Sequence, residues 1–474
     1  MKFKVTLIFP NINFGKIFKK ATFPALGLAY LAAVIENAGY DVSVIDATAL
    51  NMSDNEILVK LRNSIPNVIG ITTNILLAKY SLKLGKSIRR QLPEVKLVFG
   101  GPWASAVYEM LLREKICDFV VVGEGEQAFI ALLKKIEEGL IPKNIPGIAY
   151  VSKNDSVELE SPRPLENLDE IPFPAWHLFP PAQKYFFSKR GKILYPVMTS
   201  RGCPYHCNFC TKLIHGHRMR YRSIQNVIDE IRYLKERFSI EEIAIMDDNF
   251  TLNKKRAERI CDEIIKNQFN ISIQLTNAIR ADTVDKKLIR KLKQAGTYKM
   301  GIGVESGNQD VVNKLGKNLD LNAVRRAAQI IKQEKIILLA YFILGHPFDT
   351  VKTMNETINF AIEIDPDYGY FFIATAFPGT ELYNQVKRDG KFLISLHDID
   401  RGYNVGSPNF EIYDLKVKDV GRLFRQAYRR FYLRPRKILS LLLKLRTLND
   451  VKYNLTMGIV SILNILNFKI FHLN

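Results

Sequence analysis

The chain repeats one alternation twice: a short apolar run, then a segment whose apolar positions recur at helical spacing. In the first third the runs are Val5–Phe9, Val42–Ile45, Val68–Thr72, Val95–Phe99 and Phe119–Val122. After the second run, Ser53 and Glu56 have capping-box spacing and set Ile57, Leu58, Leu61 and Ile65 on one helical face. From Leu194 the alternation resumes, with strands predicted over 194–199, 242–246, 271–276, 298–304, 338–344 and 369–375. A helix carrying Val284, Leu288, Ile289 and Leu292 falls between two of them. Such strands, separated by amphipathic helices, belong to parallel sheets covered on both faces. The expectation is an α/β chain: a doubly wound, Rossmann-like sheet over 1–155 and a proline-rich linker over 156–190. A partial (βα)6 barrel over 191–392 and a helical, basic region over 393–474 complete it. The linker rests on Pro162, Pro164, Pro172 and Pro174, because proline restrains a connector to extended paths.

Both kinds of sheet collect ligands beyond the carboxyl ends of their strands. The most specific loop at such an end is Thr199–Cys210, which follows the apolar stretch Leu194–Met198. It holds three of the five cysteines, Cys203, Cys207 and Cys210, spaced Cys-x-x-x-Cys-x-x-Cys. Those thiolates can wrap one metal centre. An iron–sulfur cubane ordinarily takes four thiolates, so three leave one iron open. With His206, His215 or His217 as a fourth ligand, the same thiolates would make a zinc knuckle. Cys117 and Cys261 stand alone in apolar surroundings and read as core. Scarce cysteine argues against a disulfide framework and for a reducing cytoplasm, and Met1–Phe9 reads as a strand rather than a signal peptide.

With Phe209 just before its last cysteine, this loop resembles the cluster loop of the radical S-adenosylmethionine (SAM) superfamily. The resemblance implies that SAM chelates the open iron through its amino and carboxylate groups. One electron from the cluster then cleaves SAM to a 5′-deoxyadenosyl radical. The preceding sheet resembles the cobalamin-binding domain of cobalamin-dependent radical SAM proteins. That implies a corrin embraced by Gly27 at the first helix, by Gly100 and Gly101 after the fourth strand, and by Gly123, Glu124, Gly125 and Glu126 after the fifth. Taken singly, these loops read as tight strand–helix turns. No G-x-G-x-x-G follows the first strand. The Asp-x-His-x-x-Gly motif of other cobalamin proteins is absent, and no histidine precedes His177, so no histidine of this domain is expected on cobalt.

In the barrel, Asp247 and Asp248 end the second strand. Two adjacent carboxylates need cationic or hydrogen-bonding partners, and the SAM ammonium is one; a helix N-cap at Asp248 or Asn249 is the other reading. Asn277 and Arg280 close the third strand, and Arg280 can pair bidentately with the SAM carboxylate. The resemblance places Glu305 and Ser306 against the ribose or methionine moiety, Gly345 beside adenine, and Arg220–Ser223 as a brace for the cluster loop. His346-Pro347 reads as a turn before it reads as a proton donor.

The resemblance implies an enzyme that methylates an unactivated carbon, or closes a ring, with a 4Fe-4S cluster, SAM and cobalamin. It also implies a flavodoxin- or ferredoxin-type electron donor. A methylthiotransferase acting on RNA would carry three further amino-terminal cysteines, and only Cys117 precedes the loop. A cobalamin carrier without catalysis would not need the triad. The formal charge is +20, and Arg422–Asn474 carries eleven Lys and Arg against the single acid Asp450, a balance of +10. Threaded through leucines, this charge suits the inner face of a membrane better than nucleic acid. The polar residues within Leu455–Leu473 argue against a spanning helix. The expected substrate is a lipid, an isoprenoid or a tetrapyrrole.

Overall fold

Each apolar run of the first third becomes a strand of one sheet. In this computed structural model, which describes residues 2–12, 24–185, 192–395 and 408–443, five of them are parallel. They are β1 (Lys4–Phe9), β2 (Asp41–Asp46), β3 (Val68–Thr72), β4 (Lys96–Gly100) and β5 (Phe119–Val121), in the order 2-1-3-4-5. An antiparallel hairpin, β6 (Ile148–Val151) and β7 (Val157–Leu159), extends the sheet beyond β5. The order reverses between β1 and β3, where doubly wound sheets open a crevice for ligands. The capping box forms at Ser53, and Ile57, Leu58 and Leu61 are buried. Ile65 departs from the expected face. The helix ends at Ser64, because Pro66 disfavours helical backbone before it, and Ile65 is a left-handed cap that is 74% exposed.

The proline-dense stretch is wall rather than free connector. Val157–Leu159 joins the sheet, Trp176 is buried, Ala175 N donates to Ala29 O over 3.1 Å, and Tyr185 Oη donates to the buried Asp46 carboxylate over 2.9 Å. The chain divides into one unit of Met1–Phe186 with Thr211–Tyr221, and a second of Phe187–Cys210 with Arg222–Asn474.

In the second unit six parallel strands lie side by side in chain order: β8 (Leu194–Val197), β9 (Glu242–Ile245), β10 (Ser272–Ile279), β11 (Thr297–Glu305), β12 (Ile337–Leu344) and β13 (Tyr368–Ile373). Helices over Ile224–Phe238, Lys254–Lys266, Lys286–Gln294, Leu321–Gln333 and Val351–Ile364 link successive strands. Every residue of β11 is buried, as a strand covered on both faces should be. At the amino ends of the strands, buried Glu242 accepts from Gln274 Nε2 over 3.0 Å and from Tyr298 Oη over 2.6 Å. The carboxyl ends remain for ligands.

Part of the basic tail is scaffold. The helix Val417–Tyr432 buries Tyr428 and Phe431, and Tyr428 Oη donates to Phe371 O over 3.1 Å. Beyond it, Arg434 Nη2 and Lys437 Nζ pair with Asp365, over 2.7 and 3.2 Å, at the left-handed end of Val351–Ile364. No helix among the described residues is long and apolar enough to cross a membrane. The segment Leu455–Leu473, expected to lie on one, falls outside the described residues.

Candidate active site

The cysteine loop begins where β8 ends, and buried charge fixes its first turn. Asp247, just beyond β9, accepts from Thr199 N and Thr199 Oγ1, each over 2.5 Å, and from Ser200 Oγ over 2.6 Å. Burial raises its pKa above the ordinary carboxyl value, while these three donors act to lower it. Asp248 accepts from Gly202 N over 2.8 Å, so it caps the cysteine loop rather than a helix. Arg222 N donates to Thr199 O over 3.0 Å, and its guanidinium reaches Met198 O over 2.9 Å and pairs with buried Glu230. Arg256 adds bonds of 3.0 Å to Thr199 Oγ1 and 2.9 Å to Thr199 O. Asn277 Nδ2 donates to Asp247 O over 2.9 Å.

The middle of the loop is held from the other side. Asn208 N donates to Leu315 O over 3.0 Å, and Asn208 O accepts from Leu382 N over 2.8 Å. The Arg280 guanidinium lies 3.6 Å above the Tyr205 ring. Its nitrogens bond Asp282 over 3.1 and 2.7 Å and Lys317 O over 2.8 Å. Arg280, expected to pair with the SAM carboxylate, makes its bidentate contact with Asp282, two residues away.

Glu305 ends β11 in a left-handed conformation, φ 68°, and its Oε1 is 2.6 Å from Lys317 Nζ; both side chains are almost fully buried. Ser306 is fully buried and 3.1 Å from Thr357 Oγ1, turned away from Glu305's partner toward the Val351–Ile364 helix. Gly345 adopts φ 87°, and a Cβ there would come within 2.8 Å of Val420. Its amide, with that of His346, donates to Asp349 Oδ2 over 3.0 Å.

His346 is fully buried, and its ring packs on Phe209 at 5.8 Å between centroids. Neither of its ring nitrogens has a hydrogen-bond partner, and the buried amide of Asn249 has none either. Buried polar groups are ordinarily satisfied. Two orphans at the carboxyl ends of β9 and β12, beside a loop of three thiols, fit a site that a polar ligand completes. Sequence reasoning missed Lys317 and Arg256, which sit on a turn and a helix whose periodicity marks nothing special.

Cys203 and Cys207 are half-buried and Cys210 is exposed. Among the described residues no three His, Cys, Asp or Glu side chains converge on one ion position.

In the first unit the sheet's carboxyl edge is bordered by the segment 211–221. Glu124, expected to face cobalamin, accepts from Arg220 through both oxygens, over 2.7 and 2.8 Å, and from Leu165 N over 3.0 Å. Arg220, expected to brace the cluster loop, is the buried partner of this pair, leaving the brace to Arg222. Gly101, φ 97°, is required by the protein itself, since a Cβ would lie 2.6 Å from Thr73 O. Gly100 ends β4, and Gly123, φ 86°, abuts Pro162. Gly125 and Glu126 open the helix Glu126–Glu137, whereas a Cβ on Gly27 would meet nothing within 4 Å. No histidine occurs in the sheet's own loops, and the fold returns His215 and His217 to this unit.

Residues 197–361 match the radical SAM superfamily, and residues 20–133 match the B12 binding domain. Over 444 residues the chain is 34% identical to an uncharacterized methyltransferase of Pyrococcus horikoshii, covering 92% of this chain and 94% of that protein. The chain belongs to the cobalamin-dependent radical SAM family. Within that family it is also 27% identical to the anaerobic magnesium-protoporphyrin IX monomethyl ester cyclase of Rubrivivax gelatinosus, over 91% of this chain and 77% of that one. The cobalamin-dependent S-adenosylmethionine radical enzyme OxsB, solved with aqua-cobalamin and S-adenosylmethionine bound, shares the fold. Its TM-score is 0.74 at 17% identity, covering 97% of this chain and 71% of OxsB. As a cobalamin-dependent radical SAM enzyme, the protein uses a 4Fe-4S cluster, SAM and cobalamin.

Proposed function

We propose that this enzyme transfers a methyl group to an unactivated carbon of a hydrophobic small molecule, with Cys203, Cys207 and Cys210 as the cluster ligands. The observation that carries the reading is a three-thiol loop at the carboxyl edge of a six-strand parallel sheet, in one chain with a cobalamin-binding sheet. The cluster supplies an electron for SAM cleavage, and cobalamin carries a methyl group. Around them the chain's own residues have separable tasks. Asp247, Asp248, Arg222 and Arg256 fix the backbone before the first thiolate. Arg280 and the 315–318 turn fix the loop between the first and last thiolates. Glu305 and Asn249 would offer polar groups to SAM's ammonium and carboxylate, and Phe209 packs on the buried His346 ring. Gly27, Gly125 and Glu126 remain the first unit's candidates for approach to the corrin.

The substrate reading is supported by the exposed side chains of the helix Pro435–Leu442 and its flanks: Leu433, Ile438, Leu439, Leu442 and Leu443. Such a stripe, beside basic residues, suits an acidic bilayer from which a lipid-like substrate is drawn. A flavodoxin- or ferredoxin-type donor would supply the electron. The test is anaerobic incubation with SAM, hydroxocobalamin and dithionite. Methylation predicts 5′-deoxyadenosine and S-adenosylhomocysteine together. Deoxyadenosine alone points to another radical reaction, and unconsumed SAM overturns the reading.

A further inference from the structure

The two faces of the strands β12 and β13 are both aromatic, but they are used differently. Successive side chains of a strand alternate between faces. Phe342 and Phe371 therefore point one way, and Tyr341, Ile343, Tyr370 and Phe372 point the other. On the first face Phe342 stacks on Phe371 at 5.2 Å between centroids, and Phe371 meets Tyr428 and Phe431 edge-on at 69°. All four rings are buried, so that face is closed by the helix Val417–Tyr432. On the second face Tyr341, Ile343, Tyr370 and Phe372 stay half-buried. The register sets Tyr341 beside Tyr370 and Ile343 beside Phe372.

The rings of this second face lie nearly flat to one another. Tyr341 and Tyr370 are 5.6 Å apart between centroids with 24° between their planes, and Tyr341 and Phe372 are 6.3 Å apart with 28°. Tyr341 is also fixed in place. Its Oη donates to Thr276 O of β10 over 2.8 Å, so its side chain reaches across β11. Gly301 of β11 permits the crossing, because a Cβ there would lie 2.6 Å from Tyr341 Cε2. Phe372 is the penultimate residue of β13, so the aromatic face runs up to the carboxyl edge of the sheet that carries the cysteine loop. The sheet itself is open, with β8 and β13 at its edges.

A saturated chain gains from apolar area alone, which leucine supplies as well as a ring does. Near-parallel rings offer π faces besides, and stacking on them adds to what buried area contributes. A ring already held in place also loses little freedom when a ligand settles on it. We propose that Tyr341, Tyr370 and Phe372 form the wall on which this enzyme holds its substrate, and that the substrate is a flat, conjugated system several rings wide. This narrows the hydrophobic-substrate reading above and rests on it.

Binding to the full chain, anaerobically reconstituted and loaded with hydroxocobalamin, tests the wall. The cobalamin keeps a macrocycle out of the corrin site, and SAM is left out so that no reaction occurs. The probes are protoporphyrin IX, which is flat and conjugated, and protoporphyrinogen IX, whose reduced bridges break the conjugation and let the ring pucker. Equilibrium dialysis, then oxidation and porphyrin fluorescence, quantifies both. The unaltered protein should bind protoporphyrin IX about tenfold more tightly than protoporphyrinogen IX. Tyr370→Leu with Phe372→Leu keeps apolar bulk and removes two π faces. It should weaken protoporphyrin IX about tenfold and leave protoporphyrinogen IX nearly unchanged. Tyr370→Phe with Phe372→Tyr keeps both rings and should bind as the unaltered protein does. Equal affinity for the two probes, no binding of protoporphyrin IX, or a leucine variant that binds it undiminished overturns the inference. A ring-keeping variant as weak as the leucine one overturns it too. If protoporphyrin IX binds as expected while SAM stays unconsumed in the methylation assay, the wall stands and the methyl-transfer reading falls.

Discussion

The imidazole of His346 is fully buried, and its neighbour across the turn is the carboxyl of Asp349. Burial, aided by the Lys317 cation, lowers the His346 value to about 3 from an ordinary 6.5. Between those values the folded state binds fewer protons than the unfolded one, so His346 stabilises above pH 6.5, and that stability is lost as pH falls. Burial raises Asp349 to about 6 from 3.8, against bonds from Thr353, His346 and Gly345. There the folded state binds more protons, and stability rises as pH falls from 6 toward 3.8. The two effects oppose one another across that window. His346→Gln is expected to make the protein relatively more stable as pH falls from 6 to 4, and Asp349→Asn relatively less stable. Each slope would approach about 1.4 kcal/mol per pH unit. Thermal unfolding against pH checks this; variants that keep the unaltered slope contradict it. At this scale the sequence showed which residues stand at strand ends but not where their side chains turn. Arg280 illustrates the difficulty, since its partners Asp282, Lys317 and Tyr205 come from three separate loops. Ser306 shows the same, since its hydroxyl lies against Thr357 while the Glu305 carboxylate lies against Lys317.

The elements were more legible than the residues. All six barrel strands and the five parallel strands of the first sheet follow from apolar runs, because a strand buried on both faces must be apolar throughout. The β6–β7 hairpin and the packing of 156–185 were not legible: short, half-exposed strands carry little signal, and a proline-rich path reads alike whether it hangs free or packs. The helix Pro435–Leu442 mixes both situations. Lys437 is buried against Asp365 and Pro366, so its charge belongs to the fold rather than to a membrane. Its other face leaves Ile438 43%, Leu439 58% and Leu442 57% exposed. That face is expected to hold the protein on anionic vesicles at low salt, where each nearby basic side chain adds about 1 kcal/mol. Replacing Ile438, Leu439 and Leu442 together by Ser should release the protein into the supernatant. Unaltered protein that stays in solution at low salt would contradict the membrane reading and favour a water-soluble substrate.

Across the whole molecule, the charge and the cysteines divide the work. Of the +20 formal charge, half lies in the last 53 residues, while three of the five cysteines lie within eight residues of one loop. Cys117 and Cys261 are buried, and burial raises both thiols well above the ordinary range, which suits core positions and not metal ligation. The first unit was legible as a sheet but not in its extent. Thr211–Tyr221 returns to it through the Arg220–Glu124 pair, a contact spanning nearly a hundred residues that no local pattern encodes. The central claim is that one chain holds one four-iron cluster on Cys203, Cys207 and Cys210 and has a separate cobalamin site. Iron and cobalt content after anaerobic reconstitution with hydroxocobalamin tests it most directly. The unaltered protein should retain about four irons per chain, the content of a single cubane, together with cobalt. The variant with all three cysteines replaced by Ala should lose the iron and keep the cobalt. A triple variant that still binds iron as the unaltered protein does would contradict the account.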